Sequence, residues 1–482
     1  MSATALLLLL QNPAPPSESF AVVVSNTNSL DGSLPKLEYA DDDGARWYEL
    51  LALTSKKVTI LTVLDPSSQR LFPEIAEIAR VPTRKELLGA LDSTFSEIEA
   101  ARGRGVRTTF YFVFAGHGSI GDDGEGYVHL VGERFTRSDL FQHVVSRSPA
   151  TVNHIIVDAC NAYFMVKSRG GADEDAALLE FLGREDPDRY PGTGFLVSTS
   201  KAAEVHEWSR FASGVFSHEV RSALAGAADV NGDARVSYEE VQAFVAAANR
   251  NVSDPRARLA IFAHAPRLHL EEPLFDRSLA ANAPTLLIPA TLAGRSWLED
   301  ARGVRFLDMN ASDDSEVSVT LVPSSTYYLR TAESEVRIPI VGSSRAVATR
   351  FPRSKPTTVA RGSEESIFQK GLFAVPFGPA FFDGYRTSRE LELIDEPTRS
   401  SPWKPIVALA ASGAAMVALT GGIVAGINAA DDAEAYRSTI GSDADVSPFK
   451  VSSESNARLA NILFATAATL AATSLVTWLW PD

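Results

Sequence analysis

This sequence of 482 residues has little of two things that many functions require: cysteine and clustered positive charge. Cys160 is the only cysteine, which excludes an intrachain disulfide and a cysteine-rich zinc site. The formal net charge is −15, and no basic stripe occurs along the chain. A general nucleic-acid binder needs clustered lysine and arginine to contact phosphates, so we do not expect nucleic acid as a partner.

Two stretches near the C-terminus lack charged residues altogether. Residues 405–427 and 459–480 are apolar, and each is long enough to cross a bilayer, which takes about 20 residues. Trp478 and Trp480 end the second stretch, where aromatic side chains suit the membrane interface. We therefore predict two transmembrane helices joined by a polar loop within residues 403–482, with the lipid bilayer as a partner. The alternative is a pair of buried, alanine-rich helices.

The N-terminus and the membrane orientation stay open. Residues 1–18 hold a short apolar run and a proline-rich segment, which resembles the end of a secretory leader, but the first basic residue is Lys36. A leader remnant and a frayed terminus are equal alternatives. The flank 385–404 carries more lysine and arginine than the loop 428–458, which weakly favours a cytoplasmic enzyme. A true leader would place the soluble region outside.

Residues 19–270 alternate between short apolar runs and helical patterns. A helix is predicted over residues 83–101, where Thr83 and Glu86 have the spacing of a capping box. The apolar runs are rich in β-branched residues and predict buried strands at 20–25, 57–64, 108–115, 153–159 and 194–200. This alternation predicts an α/β domain with a mostly parallel sheet flanked by helices. Ligands of such sheets bind at the carboxyl ends of the strands.

The pattern changes near residue 270 to short segments that alternate between apolar and polar residues. Strands are predicted at 284–292, 303–309, 316–323, 325–331 and 335–341. These strands predict a small β-sandwich over residues 275–345. Residues 346–402 are rich in serine, arginine and proline, and they are interpreted as a connector to the membrane segments.

A histidine and the single thiol each follow directly after a predicted strand. The strand 108–115 leads into Gly116, His117 and Gly118, and the strand 153–159 leads into Cys160. If these strands are neighbours, imidazole and thiol meet at one edge, and the base can generate the thiolate that acts as nucleophile. The backbone N–H groups of Gly118 and Cys160 are candidates for an oxyanion hole. The alternatives are a buried small hydrophobe for Cys160 and a glycine-rich turn around His117.

The stretches "FAGHGS" and, further along, "IIVDAC" together resemble the caspase-like cysteine peptidases, peptidase family C14, which include metacaspases and bacterial orthocaspases. The stretches "LEYADDDGARWYELL", "DGEGYVHL" and "STSKAAEVHE" resemble other segments of the family in the same order. The resemblance covers about residues 19–265. A β-region followed by apolar helices resembles the membrane-anchored bacterial members, which implies the bacterial inner membrane.

The resemblance implies a role for each site residue. His117 would be the general base and acid, and Cys160 the nucleophile. Asp158 matches the position that makes the primary pocket acidic in metacaspases, which implies a protein or peptide substrate cleaved after arginine or lysine. Glu204 and an aspartate of "YADDDG", assigned to Asp43, match further acidic walls of that pocket. The alternatives are a solvated helix residue for Glu204 and a helix N-cap for Asp43.

The sequence departs from the family at two positions. Asn161 follows the cysteine where metacaspases have histidine, and Ala115 stands where a serine often lines the pocket. Both changes leave the dyad intact and put the details of the pocket in question. Two other interpretations therefore stay open, a catalytically silent caspase-fold scaffold at the membrane and a redox-sensing thiol.

The stretch "DVNGDARVSYEE" has the ligand spacing of an EF-hand loop. Its candidate ligands are Asp229, Asn231, Asp233, Ser237 and Glu240. Ala234 stands where the loop normally has a glycine for its sharp turn. The peptidase chemistry requires no cofactor, and Ca²⁺ is the candidate ligand of this loop. The alternative is a turn whose Asp and Asn side chains cap backbone N–H groups and start a helix at Ser237.

Overall fold

The structure is a computed structural model that describes residues 16–32, 34–122, 124–159, 190–198, 207–254, 257–355, 366–394, 403–438 and 443–479. Cys160, Asn161 and Glu204 therefore lie outside the described residues. The chain divides into two compact units, the first ending at Arg386 and the second beginning at Thr387.

The first unit begins with alternating strands and helices. Its strands are β1 (Ser17–Asn26), β2 (Ser55–Leu61), β3 (Arg107–Gly116), β4 (Gly118–Ile120), β5 (Gly126–His129), β6 (Arg134–Thr136), β7 (Val152–Ala159), β8 (Thr193–Ser198), β9 (Glu207–Trp208), β10 (Ser213–Gly214), β11 (Arg235–Val236), β12 (Ile261–His264) and β13 (Phe275–Asp276). Its helices are α1 (Ala40–Ala52), α2 (Pro66–Leu71), α3 (Pro73–Ile78), α4 (Arg84–Gly103), α5 (Arg137–Asp139, continued by Leu140–Val145), α6 (Val215–Ser222, continued by Ala223–Ala227) and α7 (Tyr238–Asn249).

Six of these strands form one sheet in the order β12-β8-β7-β3-β1-β2. Every pairing from β8 to β2 is parallel, and only the pairing of β12 with β8 is antiparallel. The five strands predicted before residue 201 all lie in this sheet. The predicted α/β class with a mostly parallel sheet is therefore confirmed, and the edge strand β12 is an addition that the sequence pattern did not indicate.

Both faces of the sheet are buried, which explains why the strands are apolar along their whole length. Successive side chains of a strand point to opposite faces. Val22 and Phe112 pack with helix α4 on one face. Val23 and Val113 belong to a second core with α1, α6 and α7 on the other face. The start of α4 is as predicted, because the Thr83 hydroxyl accepts a hydrogen bond from the backbone N–H of Glu86 at 3.2 Å.

Two smaller sheets follow, and we call residues 285–354 the strand-rich region. Its strands are β14 (Thr285–Ile288), β15 (Gly294–Asp300), β16 (Arg305–Ala311), β17 (Val317–Thr320), β18 (Thr326–Arg330), β19 (Glu335–Pro339), β20 (Arg345–Val347) and β21 (Arg353–Ser354). They pair in the orders β17-β14-β20 and β16-β15-β18-β19-β21. All five strands predicted here exist, but β15, β20 and β21 were not predicted. The sequence of β15, "GRSWLED", contains no β-branched residue, and β20 and β21 are only three and two residues long.

The strand-rich region shares one hydrophobic core with α6 and α7 of the α/β part. Leu307 and Val319 belong to the same buried cluster as Val220 of α6. Helix α8 (Ser366–Gly371) and the residues after it also contribute, since Phe373 and Phe377 are buried in this cluster. Part of the segment predicted as a connector is therefore packed within the first unit.

The second unit contains two long helices, α10 (Trp403–Ser438) and α11 (Asp443–Leu479), while α9 (Pro379–Ile394) spans the boundary between the units. The two long helices lie close together, since a Cβ added at Gly422 would be 2.9 Å from the Phe464 ring. Within the part of the chain that the structure describes, α10 is the one helix long and apolar enough to cross a membrane, over residues 411–438. The second predicted span, in α11, stays a prediction.

Candidate active site

The strands that lead to the predicted dyad are neighbours in register. Strands β3 and β7 run parallel, with Gly116 opposite Ala159 and Ala115 opposite Asp158. His117 is the first residue after β3, and Cys160 follows β7 in the sequence but lies outside the described residues. The structure therefore confirms that the carboxyl ends of β3 and β7 lie side by side in the sheet. The contact between the His117 imidazole and the Cys160 thiol stays a prediction.

The His117 ring is oriented by a backbone carbonyl. It forms a hydrogen bond with the backbone of Pro35, which can only be an acceptor because proline has no N–H. Nε2 is buried and has no hydrogen-bond partner among the described residues, so Nδ1 is the donor. Burial lowers the pKa of His117, which keeps the ring neutral. A neutral ring with its proton on Nδ1 leaves the lone pair of Nε2 free to accept a proton.

A second histidine that the sequence analysis did not select fixes the segment before Pro35. The His129 side chain is fully buried, and its Nδ1 accepts a hydrogen bond from the Leu30 backbone N–H at 2.9 Å. Its Nε2 lies 2.8 Å from the Ser119 hydroxyl, and its backbone N–H donates to the His117 carbonyl at 3.1 Å. Burial lowers the pKa of His129 to about 4, so it stays neutral and keeps these contacts at neutral pH.

The glycines around His117 have different roles. Gly116 has a φ of 157°, and a Cβ there would be 2.6 Å from the carbonyl oxygen of Asn26, so a side chain cannot be accommodated at the end of β3. Gly118 begins β4 and pairs with Val128 of β5. The predicted oxyanion role of the Gly118 N–H stays a prediction.

Asp158, one of the predicted pocket residues, is partly exposed at the end of β7 and contacts helix α6. Its Oδ2 accepts hydrogen bonds from the backbone N–H of Ser217 at 3.1 Å and from the Ser217 hydroxyl at 2.5 Å. The same hydroxyl accepts a hydrogen bond from the Trp47 indole at 3.0 Å. Ser217 therefore fixes the position of the Asp158 carboxylate.

Asp43 faces the same region, and its interpretation as a helix N-cap is wrong. The N-cap of α1 is Tyr39, and Asp43 lies within the first turn with its side chain directed into the protein. Its carboxylate accepts hydrogen bonds from the Gly214 N–H at 2.7 Å, from Arg221 Nη2 at 2.8 Å and from the Ser213 hydroxyl. Long-range charge pairing rather than helix capping decides its position.

Gly214 lies between the two carboxylates. A Cβ at this position would be 3.1 Å from Asp158 Oδ2 and 3.3 Å from Asp43 Oδ2. The absence of a side chain therefore lets the Gly214 backbone approach both carboxylates closely. We call this group of residues the acidic pocket, and it consists of Asp43, Asp158, Ser213, Gly214, Ser217 and Arg221.

Within the acidic pocket the two carboxylates carry two negative charges when ionised and Arg221 carries one positive charge, and the buried Arg46 outside this group also attracts Asp43. Burial raises the pKa of Asp158 to about 7, and the charge of Asp43 adds to this rise. Burial lowers the pKa of Arg221 to about 10, so the guanidinium stays protonated at neutral pH. The negative charge of Asp158 is therefore present above pH 7.

Glu207 is another acidic residue that the sequence analysis did not select. Its carboxylate accepts hydrogen bonds from the backbone N–H groups of Glu38 at 2.9 Å and Tyr39 at 2.8 Å. These groups precede α1, whose N-cap residue makes no side-chain cap. Burial raises the pKa of Glu207 to about 7. Glu207 thus holds the start of the helix that carries Asp43.

The five candidate calcium ligands form a compact turn, which we call the acidic turn (residues 229–240). The side chains of Asp229, Asn231 and Asp233 accept hydrogen bonds from backbone N–H groups within the turn. Ser237 and Glu240 form a capping box that starts α7. Ala234 adopts a φ of 63°, the left-handed conformation that a glycine usually supplies. The predicted turn that caps its own backbone is therefore confirmed.

The acidic turn already contains a cation from the protein itself. Arg277 Nη2 forms a hydrogen bond with Asp229 Oδ2, and both side chains are 2% exposed. Arg277 Nη1 donates to the Ser318 carbonyl at 2.5 Å. Among the described residues, no group of three or more His, Cys, Asp or Glu side chains is arranged to hold a metal ion. A calcium ion would have to displace Arg277 from Asp229, so this geometry disfavours the calcium site that the spacing suggests.

Comparisons with known proteins add no assignment: no family model matches the chain, and no curated protein matches it at a significant level.

Proposed function

We propose that this chain is a caspase-like cysteine endopeptidase that cleaves after arginine or lysine and is anchored to a membrane near its C-terminus. The register of β3 against β7 carries the proposal. It brings the strand end before His117 and the strand end before Cys160 to the same edge of the sheet. The acidic pocket adds support, since Asp158 of that pocket belongs to β7.

The mechanism follows from the state of His117. Its free Nε2 takes the proton of the Cys160 thiol, and the thiolate attacks the carbonyl carbon of the scissile peptide bond. The N–H groups of Gly118 and Cys160 donate to the oxyanion that forms. His117 then gives its proton to the leaving amine, and the acyl group remains as a thioester. Water, deprotonated by His117, hydrolyses the thioester and restores the thiol.

The substrate preference follows from the charge of the acidic pocket. A guanidinium or ammonium group can pair with Asp158, whereas a carboxylate would meet the negative charge of Asp158. Arg221 already holds Asp43, so Asp158 is the group available to a substrate cation. We therefore expect arginine and lysine to be accepted at the cleavage position.

The proposal is tested with peptide reporters that end in arginine, lysine or aspartate before the scissile bond. Purified full chain should cleave the arginine and lysine reporters, and Cys160→Ala and His117→Ala should each abolish cleavage. Turnover that survives in Cys160→Ala, after removal of contaminating peptidases, would exclude this mechanism. Preferential cleavage of the aspartate reporter would exclude the proposed pocket.

The second candidate is a catalytically silent scaffold of the same fold. The pairing of Arg221 with Asp43 favours it, since this pairing leaves less negative charge for a substrate than two free carboxylates would. An activity-based thiol probe separates the two candidates. Labelling of Cys160 that depends on His117 supports the peptidase, and equal labelling with and without His117 supports the scaffold.

The membrane part of the proposal is supported by residues 411–438 of α10, which are long and apolar enough to cross a bilayer. We propose a bacterial inner membrane location with two spans. Limited proteolysis of intact spheroplasts tests the side: digestion of the first unit from outside indicates the periplasmic side, and protection indicates the cytoplasm.

A further inference from the structure

Helix α6 contacts the acidic pocket with one face and the strand-rich region with the adjacent face. Ser217 and Arg221 are four residues apart and bind Asp158 and Asp43. His218 and Ser222 have the same spacing, one position further along, and face strand β16. Residues four apart lie on one side of a helix, so a rotation of α6 at one face must displace the other.

One residue of β16 contacts both side chains of the second face. Asp308 Oδ2 accepts a hydrogen bond from His218 Nε2 at 2.8 Å, and the Asp308 backbone N–H donates to the Ser222 hydroxyl at 3.1 Å. Arg305 binds the same carboxylate through Nε at 2.6 Å and through Nη2. Asp308 is only 1% exposed, so water does not compete for these contacts.

His218 keeps its contact with Asp308 over the whole working range of pH. Burial lowers the pKa of His218 to about 4, so the ring is neutral and carries its proton on Nε2, facing Asp308. Its Nδ1 is buried without a hydrogen-bond partner in the described part of the chain. Phe211 stacks on the ring at a centroid distance of 4.0 Å. The ring therefore has one polar contact that fixes its orientation, and that contact is Asp308.

The strand-rich region also contacts the other helix of the acidic pocket. Arg302 forms two hydrogen bonds with Glu49 of α1, at 2.6 Å and 3.0 Å, and one with Asp300 at 2.7 Å. Asp43 belongs to the same helix α1. The two helices that supply Asp43, Ser217 and Arg221 are thus both bound from the strand-rich side.

We propose that the strand-rich region positions the acidic pocket, with Asp308 as a positioning residue that acts on the substrate cation through His218 and helix α6. Asp308 does not touch the substrate. It fixes the rotation of α6, and this rotation sets how Ser217 and Arg221 hold Asp158 and Asp43. The expected consequence for catalysis rests on the proposed peptidase function, and the expected coupling between the two faces of α6 does not.

The kinetic test uses three variants of the full chain. His218→Leu removes the hydrogen bond to Asp308 and puts an apolar side chain in the place of the imidazole. His218→Gln retains an N–H donor that can reach Asp308. Ile338→Ala is the control, since it truncates a fully buried residue on β19, three strands from β16 in the sheet. We expect His218→Leu to raise KM for the arginine reporter about tenfold, equivalent to about 1.4 kcal/mol of lost substrate binding through the displaced pocket, with kcat within about twofold. His218→Gln should restore KM, and Ile338→Ala should lower Tm without changing KM.

The outcomes separate this inference from the proposed function. If wild type cleaves the reporter and His218→Leu keeps its KM, or Ile338→Ala raises KM equally, the positioning role is wrong. If wild type cleaves no reporter, the peptidase proposal fails, and unfolding still tests the coupling. In that case we expect the Tm changes of His218→Leu and Asp158→Asn to be non-additive in the double variant, because α6 joins the two sites. Additive Tm changes would overturn the inference.

Discussion

The acidic pocket and the acidic turn both hold a buried aspartate against an arginine, yet their surroundings differ. In the turn, Arg277 is matched to Asp229, and the neighbouring acidic and amide side chains bind their own backbone. In the pocket, Arg221 is matched to Asp43, and the second carboxylate, Asp158, forms no ion pair among the described residues and binds Ser217 instead. Acidic residues in a loop therefore do not by themselves indicate a site.

Removing the charge of Asp158 should have the largest effect. Asp158→Asn keeps the shape of the side chain, and we expect kcat/KM for the arginine reporter to fall about 100-fold, since hydrogen bonds to charged groups contribute about 1.5–3 kcal/mol. For a reporter with a neutral residue at the same position, the kcat/KM of Asp158→Asn should fall much less. Asp233→Asn, in the exposed part of the acidic turn, is the matched control and should leave both values unchanged. Equal losses for both reporters would contradict a charge-based pocket.

Crowding the two carboxylates should have a smaller effect. Gly214→Ala places a methyl group 3.1 Å from Asp158 Oδ2 and 3.3 Å from Asp43 Oδ2. We expect an approximately tenfold rise in KM for the arginine reporter, since the loss of one contact of about 1.4 kcal/mol changes affinity tenfold. The control is Gly89→Ala in α4, where no atom lies within 4 Å of the added carbon. An unchanged KM in Gly214→Ala would show that the substrate side chain does not bind beside Gly214.

Lowering the pH should reduce the preference for arginine. The raised pKa of Asp158, about 7, means that its carboxyl group is protonated below pH 7 and loses the charge that attracts a cation. At pH 6 about one tenth of Asp158 is ionised, so the ratio of kcat/KM for the arginine and neutral reporters should fall up to about tenfold between pH 8 and pH 6. The titration of His117 affects kcat/KM for both reporters equally, so it cancels in their ratio. In Asp158→Asn the ratio should be independent of pH, and a sloping ratio there would assign the titration to another group.

Calcium should have the smallest effect. Because Arg277 already neutralises Asp229, we expect Tm to be the same in excess Ca²⁺ and in excess chelator. A ligand that binds only the folded state raises Tm in proportion to the logarithm of its concentration. Such a rise, absent in Glu240→Gln, would mean that the acidic turn holds a cation after all and would remove the contrast with the pocket.

Local patterns in the sequence predict the elements well. The five sheet strands are recognisable because burial on both faces requires continuous apolar residues, and Thr83 indicates the start of α4 through its capping geometry. The turn at 229–240 could be predicted from its Asp and Asn side chains, which bind backbone N–H groups a few positions away. Each of these signals depends on residues within a few positions of one another.

The acidic pocket could be predicted only in part. Asp158 follows from the motif around the cysteine, but the partners of Asp43 lie 170 or more positions away, at Ser213, Gly214 and Arg221. The contact between His218 and Asp308 likewise joins the α/β part to a strand whose neighbour β15 was not predicted. Hydrogen bonds and charge pairs across such separations leave no periodicity in the sequence, so no local pattern indicates Glu207, Arg221 or His129.

The central claim, that His117 activates the thiol of Cys160, is tested most directly by the pH dependence of alkylation. Cys160 is the only cysteine in the chain, so the rate of modification by iodoacetamide reports on one site without further labelling. We predict a thiol pKa below the ordinary value of about 8.5 in the wild type and a return towards that value in His117→Ala. Identical profiles in the two proteins would contradict the account.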